Sequence, residues 1–177
     1  MAFQASRQRM NLDLMDEEIN GILSNNYVSK YYLELGKDLD VLEPKHPDDI
    51  YKLTAEEKNS YSVESAKINM ASTFVNAFVN AGMQRDALLL NKENKISNDW
   101  FLKVKNEGMT AATASIGMIF MWDQASCSDY IAEFLDLKDG HARLGAGIAI
   151  GLCNTGIIDE FDQAKALLSE MIMGDEF

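Results

Sequence analysis

The sequence predicts an all-α fold, an α-α solenoid of helical-hairpin repeats, on three observations. Apolar residues recur at steps of three and four, the period of one helical face, and do not sustain the alternation that strands require. Both prolines, Pro44 and Pro47, fall in the single stretch EPKHPDD, where they end a helix and force a rigid turn. Segments rich in small residues recur, with an offset of 34 residues between Gly117 and Gly151. Each is followed by an amphipathic segment, within the period range of helical-repeat proteins.

The elements follow in chain order. In EEINGILSNNYVSKYYLELGKDLDVL, residues Ile19, Ile22, Leu23, Tyr27, Tyr31 and Leu35 share one face, which predicts one broken helix or two short ones. Glu43, Asp48 and Asp49, around the prolines, are read as caps and solvated charge near helix ends. TAEEKNSYSVE, residues 54–64, is polar and poorly patterned, so a linker is expected there with a new helix beginning near Val63. INMASTFVNAFVNAG, GMTAATASIGMIFMWD and RLGAGIAIGLCNTG then resemble one another. Superposing Gly117 on Gly151 brings Ala112 onto Ala146, Ser115 onto Ala149 and Met118 onto Leu152. Superposing Gly82 on Gly156 brings Ala71 onto Gly145, Ala77 onto Gly151 and Asn80 onto Asn154. The following segments MQRDALLL, SCSDYIAEFLDL and EFDQAKALLSEMI are expected to supply the second helix of each unit.

Side-chain size gives the physical basis. Residues four apart stack on one helical face, so Gly147 with Gly151, or Ala111 with Ser115, makes a shallow stripe. Helical glycine costs about 1 kcal/mol relative to alanine, so two in mid-helix require a packing reason. Close approach of a neighbouring helix supplies it, because larger side chains there would overpack by about 1–3 kcal/mol. Phe74, Val75 and Phe78 are read as packing residues of the same core.

The spacing of Gly145, Gly147 and Gly151 also invites comparison with a dinucleotide-binding fingerprint, with Asp162 beyond it. That motif needs a strand immediately before it. The preceding DLKDGHARL is charged and reads as a helix start, and the copy AATASIG keeps the small sizes without the glycine pair. Packing tolerates that change and a pyrophosphate turn does not. No Walker lysine follows either.

Other candidates for chemistry are sparse. His46 lies between prolines in an expected surface turn, and His141 follows Gly140 near a helix start; neither belongs to a ligand-spaced cluster, so no metal site is predicted. Cys153 is expected in the core. Cys127, in a short SCS connection, is expected to be exposed. Trp122 ends a small-residue helix, where its indole covers the end of the core and Asp123 caps or turns the chain. Asp129, Glu133 and Asp136 on one second helix, and Asp159, Glu160, Asp162 and Glu170 on the next, predict an acidic outer surface.

With 28 acidic and 16 basic residues the formal charge is −12, which disfavours a nucleic-acid backbone as partner and favours basic surfaces. Two cysteines without C-x-x-C spacing fit a reducing compartment. No apolar run reaches membrane-spanning length, and a soluble intracellular protein is expected.

LGKDLDVLEPKHPDDIYK, SAKINMASTFVNAFVNAG, NEGMTAATASIGMIFMWD and GHARLGAGIAIGLCNTG together closely resemble the family of non-ATPase scaffold subunit one of the proteasome regulatory particle, over residues 12–172. The resemblance implies an N-terminal helical segment and linker over 1–62 and the first proteasome/cyclosome repeats over 63–177. The chain is then a fragment of a longer protein whose repeats close into a toroid. It further implies a place in the regulatory-particle base in cytoplasm and nucleus, contact with ATPase subunits, and docking of ubiquitin, ubiquitin-like domains of shuttle factors and a deubiquitinase. No catalytic activity and no cofactor of its own are implied. Ala112, Gly117, Ala146, Gly151, Asn154 and Gly156 match the repeat signature and are structural. Asp159, Glu160, Asp162 and Glu170 are the expected acidic binding edge, complementary to a basic-rimmed ubiquitin face. The competing functions are an adaptor solenoid of another ubiquitin-pathway assembly and, from the glycine spacing alone, a nucleotide-dependent oxidoreductase.

Overall fold

The computed structural model describes residues 1–10, 12, 14–50, 65–158 and 162–174. Among them the chain forms ten helices and no strand, with one isolated antiparallel bridge between Leu90 and Ile96. The helices are α1 (Ala2–Arg7), α2 (Glu17–Leu23), α3 (Val28–Asp38), α4 (Pro47–Ile50), α5 (Ser65–Val79), α6 (Asn98–Phe101), α7 (Glu107–Ile119), α8 (Gln124–Leu135), α9 (Gly140–Cys153) and α10 (Gln163–Gly174). The expected linker over 54–64, and a helix start at Val63, lie outside the described residues.

The N-terminal apolar face is carried by two short helices. Asp16 caps α2 by accepting from the N–H groups of Glu18 and Ile19, and Asn25, at φ 64°, separates α2 from α3. Pro47 occupies the first position of α4, where its missing N–H has no helical partner to lose.

Helices α5, α7 and α9 lie side by side with their C-terminal ends together, because each turn donates to the next helix's last carbonyls. The Gly82 and Gln84 N–H groups, after α5, donate to Met118 and Ile119 of α7 at 3.0 and 3.1 Å. The Trp122 N–H, after α7, donates to Cys153 of α9 at 3.0 Å. These bonds fill carbonyls that a helix end leaves unpaired, and they fix the register of neighbouring units. Asn80 and Asn154 perform equivalent tasks, their Nδ2 groups donating to the carbonyls of Asn76 and Ile150 four residues back, at 3.0 and 2.7 Å.

Behind this layer α8 runs antiparallel to α9. Cys127, Ile131 and Phe134 of α8 close the core with Ala142, Ala146, Ala149, Ile150 and Cys153 of α9 and with Ile116, Ile119 and Phe120. Asp139 caps α9 through the N–H groups of His141 and Ala142. Residues 145–151 therefore sit in mid-helix, not in a phosphate-cradling turn, so the glycine spacing gives the oxidoreductase alternative no support.

Close approach is concentrated at two glycines. A Cβ on Gly117 would stand 2.4 Å from both the Cα and the carbonyl oxygen of Ala149, and one on Gly145 would stand 2.6 Å from the carbonyl oxygen of Thr110. Gly147 makes only ordinary contact, with Met171, and Gly151 faces open space. The close contact therefore uses Gly117 and Gly145, not the Gly147–Gly151 stripe. Gly117 faces α9, whereas the aligned Gly151 has no neighbour on its side among the described residues. Gly156 lies in the turn after α9 at φ 76°, and its carbonyl accepts from Asn25 Nδ2 at 2.7 Å. With the Ile158 N–H donating to Ser24, that bond ties the α2–α3 turn to the end of α9.

Two further expectations fail here. MQRDALLL forms no helix, because Asp86 captures the backbone: its carboxylate accepts from the N–H groups of Leu88, Leu89 and Leu90 at 3.1, 2.6 and 2.8 Å, and from Asn76 Nδ2 at 2.5 Å. Such local bonds compete with helical ones. They leave a tight loop that inserts Leu89 and Leu90 into the core. Cys127 is not exposed: Asp123 caps α8 through Ser126 N–H, so the SCS stretch is already helical and the thiol faces α9, fully buried.

Gly117→Ala is expected to lower stability by about 1–3 kcal/mol, the usual cost of overpacking. Gly151→Ala is expected to be neutral or to raise it by up to about 1 kcal/mol from helix propensity; urea unfolding of both variants checks the contrast. Asp86→Ala leaves buried donors unpaired, at about 1–3 kcal/mol for each, and should lower the urea midpoint more than either glycine variant.

Candidate functional site

The three parallel helices build a trough on the side away from α8. Its floor is α7, which presents Thr110, Ala111, Ala114 and Ser115, none longer than threonine, with the longer Met118 at the C-terminal end of the row. One wall is Met70, Phe74 and Phe78 of α5, and the other is Leu144, Ile148 and Leu152 of α9. Both walls repeat at i, i+4, i+8, the spacing that stacks side chains in one row of a helix. Small residues between two rows of large ones leave a groove of about 480 Å³. The walls remain open to solvent: Phe74 is 46% exposed, Phe78 66%, Leu144 57% and Ile148 44%. A contiguous exposed apolar surface of this kind is the sort of feature on which binding surfaces are built. Phe74 and Phe78, expected in the core, are thus wall residues of the groove.

Glu107, Thr110 and His141 lie at one end of the trough, while the Ser115 hydroxyl in its floor donates to the Ala111 carbonyl at 2.6 Å. The Thr110 hydroxyl is 3.0 Å from the His141 carbonyl oxygen and 3.3 Å from its Nδ1. This joins the first turns of α7 and α9. His46 instead accepts from the Asp48 N–H at its Nδ1, 3.2 Å away, at the start of α4. Among the described residues, no group of three or more His, Cys, Asp or Glu side chains is placed to hold a metal ion. Likewise no helix there is long and apolar enough to cross a membrane.

The acidic residues occupy other surfaces. Asp129, Glu133 and Asp136 are exposed on and just after α8, and Glu170 is exposed on α10. Asp162 is also exposed, and its Oδ1 accepts from the Lys165 N–H at 3.2 Å, at the start of α10. Asp159 and Glu160 lie outside the described residues. Of the repeat-signature positions, Ala112 and Ala146 are fully buried between α7 and α9. Trp122 sits on the end of the layer, its ring edge-on to Tyr32 at 5.2 Å. Asp123, besides capping α8, accepts from Gln84 Nε2 at 2.8 Å.

Cys127 of α8 and Cys153 of α9 are both buried in the core cluster. The Cys153 thiol is held below its ordinary value by hydrogen bonds from Cys127 and Asn154, while Cys127 is pushed up by that same bond and by burial.

Comparison with known proteins gives one consistent answer. Residues 1–56 match the family described as the RPN1 N-terminal domain. The chain is 38% identical over 178 residues to the 26S proteasome regulatory subunit rpn-1 of Neurospora crassa, covering 96% of this chain and 20% of that protein. It is 38% identical over 168 residues to rpn1 of Schizosaccharomyces pombe, covering 93% and 19%. Against the 26S proteasome non-ATPase regulatory subunit 2 homolog B of Arabidopsis thaliana the identity is 37% over 175 residues, covering 96% and 20%. The chain thus spans about a fifth of the length of the curated relatives it matches.

Because the trough walls are solvated, replacing both Phe74 and Phe78 by serine should change stability little, surface substitutions usually falling within about 0.5 kcal/mol. The same double variant should lose most of the binding of an apolar fluorescent dye. A cooperative loss of fold instead would return both rings to the core.

Proposed function

We propose, from the premise that this chain is a segment of RPN1 type, akin to 26S proteasome regulatory subunits over nearly all its length, that it serves as part of a non-catalytic scaffold in the proteasome regulatory particle. Two of the relatives noted above are named regulatory subunits, and the third is named a non-ATPase one. The scaffold acts in cytoplasm and nucleus, holding ubiquitin, ubiquitin-like domains of shuttle factors and a deubiquitinase beside the ATPase subunits for ubiquitin-dependent degradation.

One observation of the molecule supports a docking role most directly. The described residues form an apolar trough between helices whose register is locked by turn hydrogen bonds. The Thr110 hydroxyl has one proton to give, to either the His141 carbonyl or its Nδ1. Apolar walls provide the anchors of an interface. The acidic residues on and beside α8 and α10, extended by Asp159 and Glu160 in our assignment, steer basic partners and set orientation.

The test is composition of the native assembly. Affinity-tagged full-length protein should bring down the proteasomal ATPase subunits, and purification without them would overturn the scaffold assignment. In that full-length protein, reversing Asp162 and Glu170 to lysine should weaken ubiquitin binding by several fold and steepen no unfolding transition. Unchanged ubiquitin-induced NMR shifts would remove the acidic edge from the docking surface.

A further inference from the structure

We propose that the exposed ridge of α3 in one copy of this chain docks, antiparallel, into the α5–α7–α9 trough of a second copy, so that copies associate head to tail. The inference rests on the trough being a docking surface and adds what fits it.

Helix α3 is clamped to the ends of the layer by its inner face. The Tyr32 hydroxyl donates to the Ala81 carbonyl at 3.2 Å, Gln84 Nε2 donates to Ser29 Oγ at 3.0 Å, and Gly36 is buried against Leu42. The outer face carries Tyr27, Tyr31, Leu35 and Leu39, all exposed. Their spacing of four residues makes one continuous row of large side chains on a helix that is held in place.

The two surfaces match in shape. Helices interlock when a ridge of bulky side chains enters a groove, and α7 supplies a low floor between the Phe74–Phe78 and Leu144–Ile148 walls. Ridge and walls share the same four-residue step. At a rise of 1.5 Å per residue the ridge spans about 18 Å and each wall about 12 Å. Tyr31 and Leu35 therefore sit between the walls while an end of α3 overhangs them.

Charge sets the direction. The C-terminal part of α3 and the turn after it expose Glu34, Asp38 and Asp40, with Lys37 among them. The N-terminal ends of α5, α7 and α9 lie together at the Glu107 end of the trough. Lys67 is in the first turn of α5, and Lys103 and Lys105 lie just before α7, all three exposed. Asn69 Nδ2 donates to the Lys103 carbonyl at 3.5 Å, which holds that loop beside α5. Three parallel helix N-termini add positive partial charge at the same end. Antiparallel docking carries the α3 carboxylates to these lysines and opposes the helix dipoles favourably. Glu107 stands among the lysines, and Lys37 of the incoming helix answers it. Because the two surfaces differ, each pair leaves one ridge and one trough open, and growth continues.

Sedimentation velocity tests this directly. The mass of the wild-type chain should rise with concentration past that of a dimer. Tyr31→Ser with Leu35→Ser, which removes the ridge, and Phe74→Ser with Phe78→Ser, which removes the trough walls, should each give monomers. Mixing the two variants should give a dimer that grows no further, because one intact ridge meets one intact trough. Glu34→Lys with Asp38→Lys should weaken association several fold, and Lys103→Glu with Lys105→Glu in the trough-bearing partner should restore it. A trough variant that still self-associates, or a mixture that stays monomeric while wild type associates, overturns the proposal. A wild-type chain that stays monomeric also overturns it; apolar dye bound by that monomer would leave the trough a docking surface for another partner. Should a variant fail to fold, carbodiimide crosslinking of mixed isotope-labelled and unlabelled wild-type chains decides. Links from Glu34 or Asp38 of one copy to Lys103 or Lys105 of the other are expected, and their absence from an associating sample overturns the pairing.

Discussion

Backbone-to-backbone contact between α7 and α9 is the constraint from which the rest of the described structure follows. Gly117 lies against the Ala149 main chain and Gly145 against that of Thr110, at distances that leave no room for a Cβ. Two helices can approach so closely only where the facing row is small, hence Ala112, Ala146 and Ala149 are fully buried. Close approach also brings each C-terminal turn within reach of the next helix's carbonyls, so packing and the ladder of turn hydrogen bonds reinforce one another.

The trough is the other consequence of the same economy in side-chain volume. A helix thin enough to let α9 approach is thin toward solvent as well, and α7 therefore forms a low floor between taller walls. The walls are rows of phenylalanine, methionine, leucine and isoleucine that no described helix covers. A repeat array generates such a surface without dedicating extra elements to it. One structural rule thus provides both close packing and an exposed apolar groove.

Much of the architecture was legible because it depends on periodicity and size. The three small-residue helices, the cap at Asp123 and the equivalence of Asn80 and Asn154 all lie where local pattern and spacing indicate them. Face assignment was less legible. Periodicity places Phe74 and Phe78 in one row, but only the position of α7 decides whether that row points into the core or out of it. The M-x-x-x-F-x-x-x-F and L-x-x-x-I-x-x-x-L rows flanking an alanine-rich helix were the available signal. MQRDALLL has helical composition, and its loop follows from one aspartate whose partner, Asn76, lies ten residues earlier. Likewise Gly117 and Gly151 align in sequence, yet only one has a neighbour, because a repeat's environment depends on what stands beside it. For the acidic edge the sequence provided charge and nothing about geometry.

Native-state hydrogen exchange, read amide by amide, tests the central claim most directly. If α7 and α9 are locked by main-chain contact, their buried segments, 112–119 and 146–153, should open together. They should show the highest exchange free energy in the chain and the same denaturant dependence. Exchange of the α9 amides through a separate, lower-energy opening, while α7 stays protected, would contradict the account.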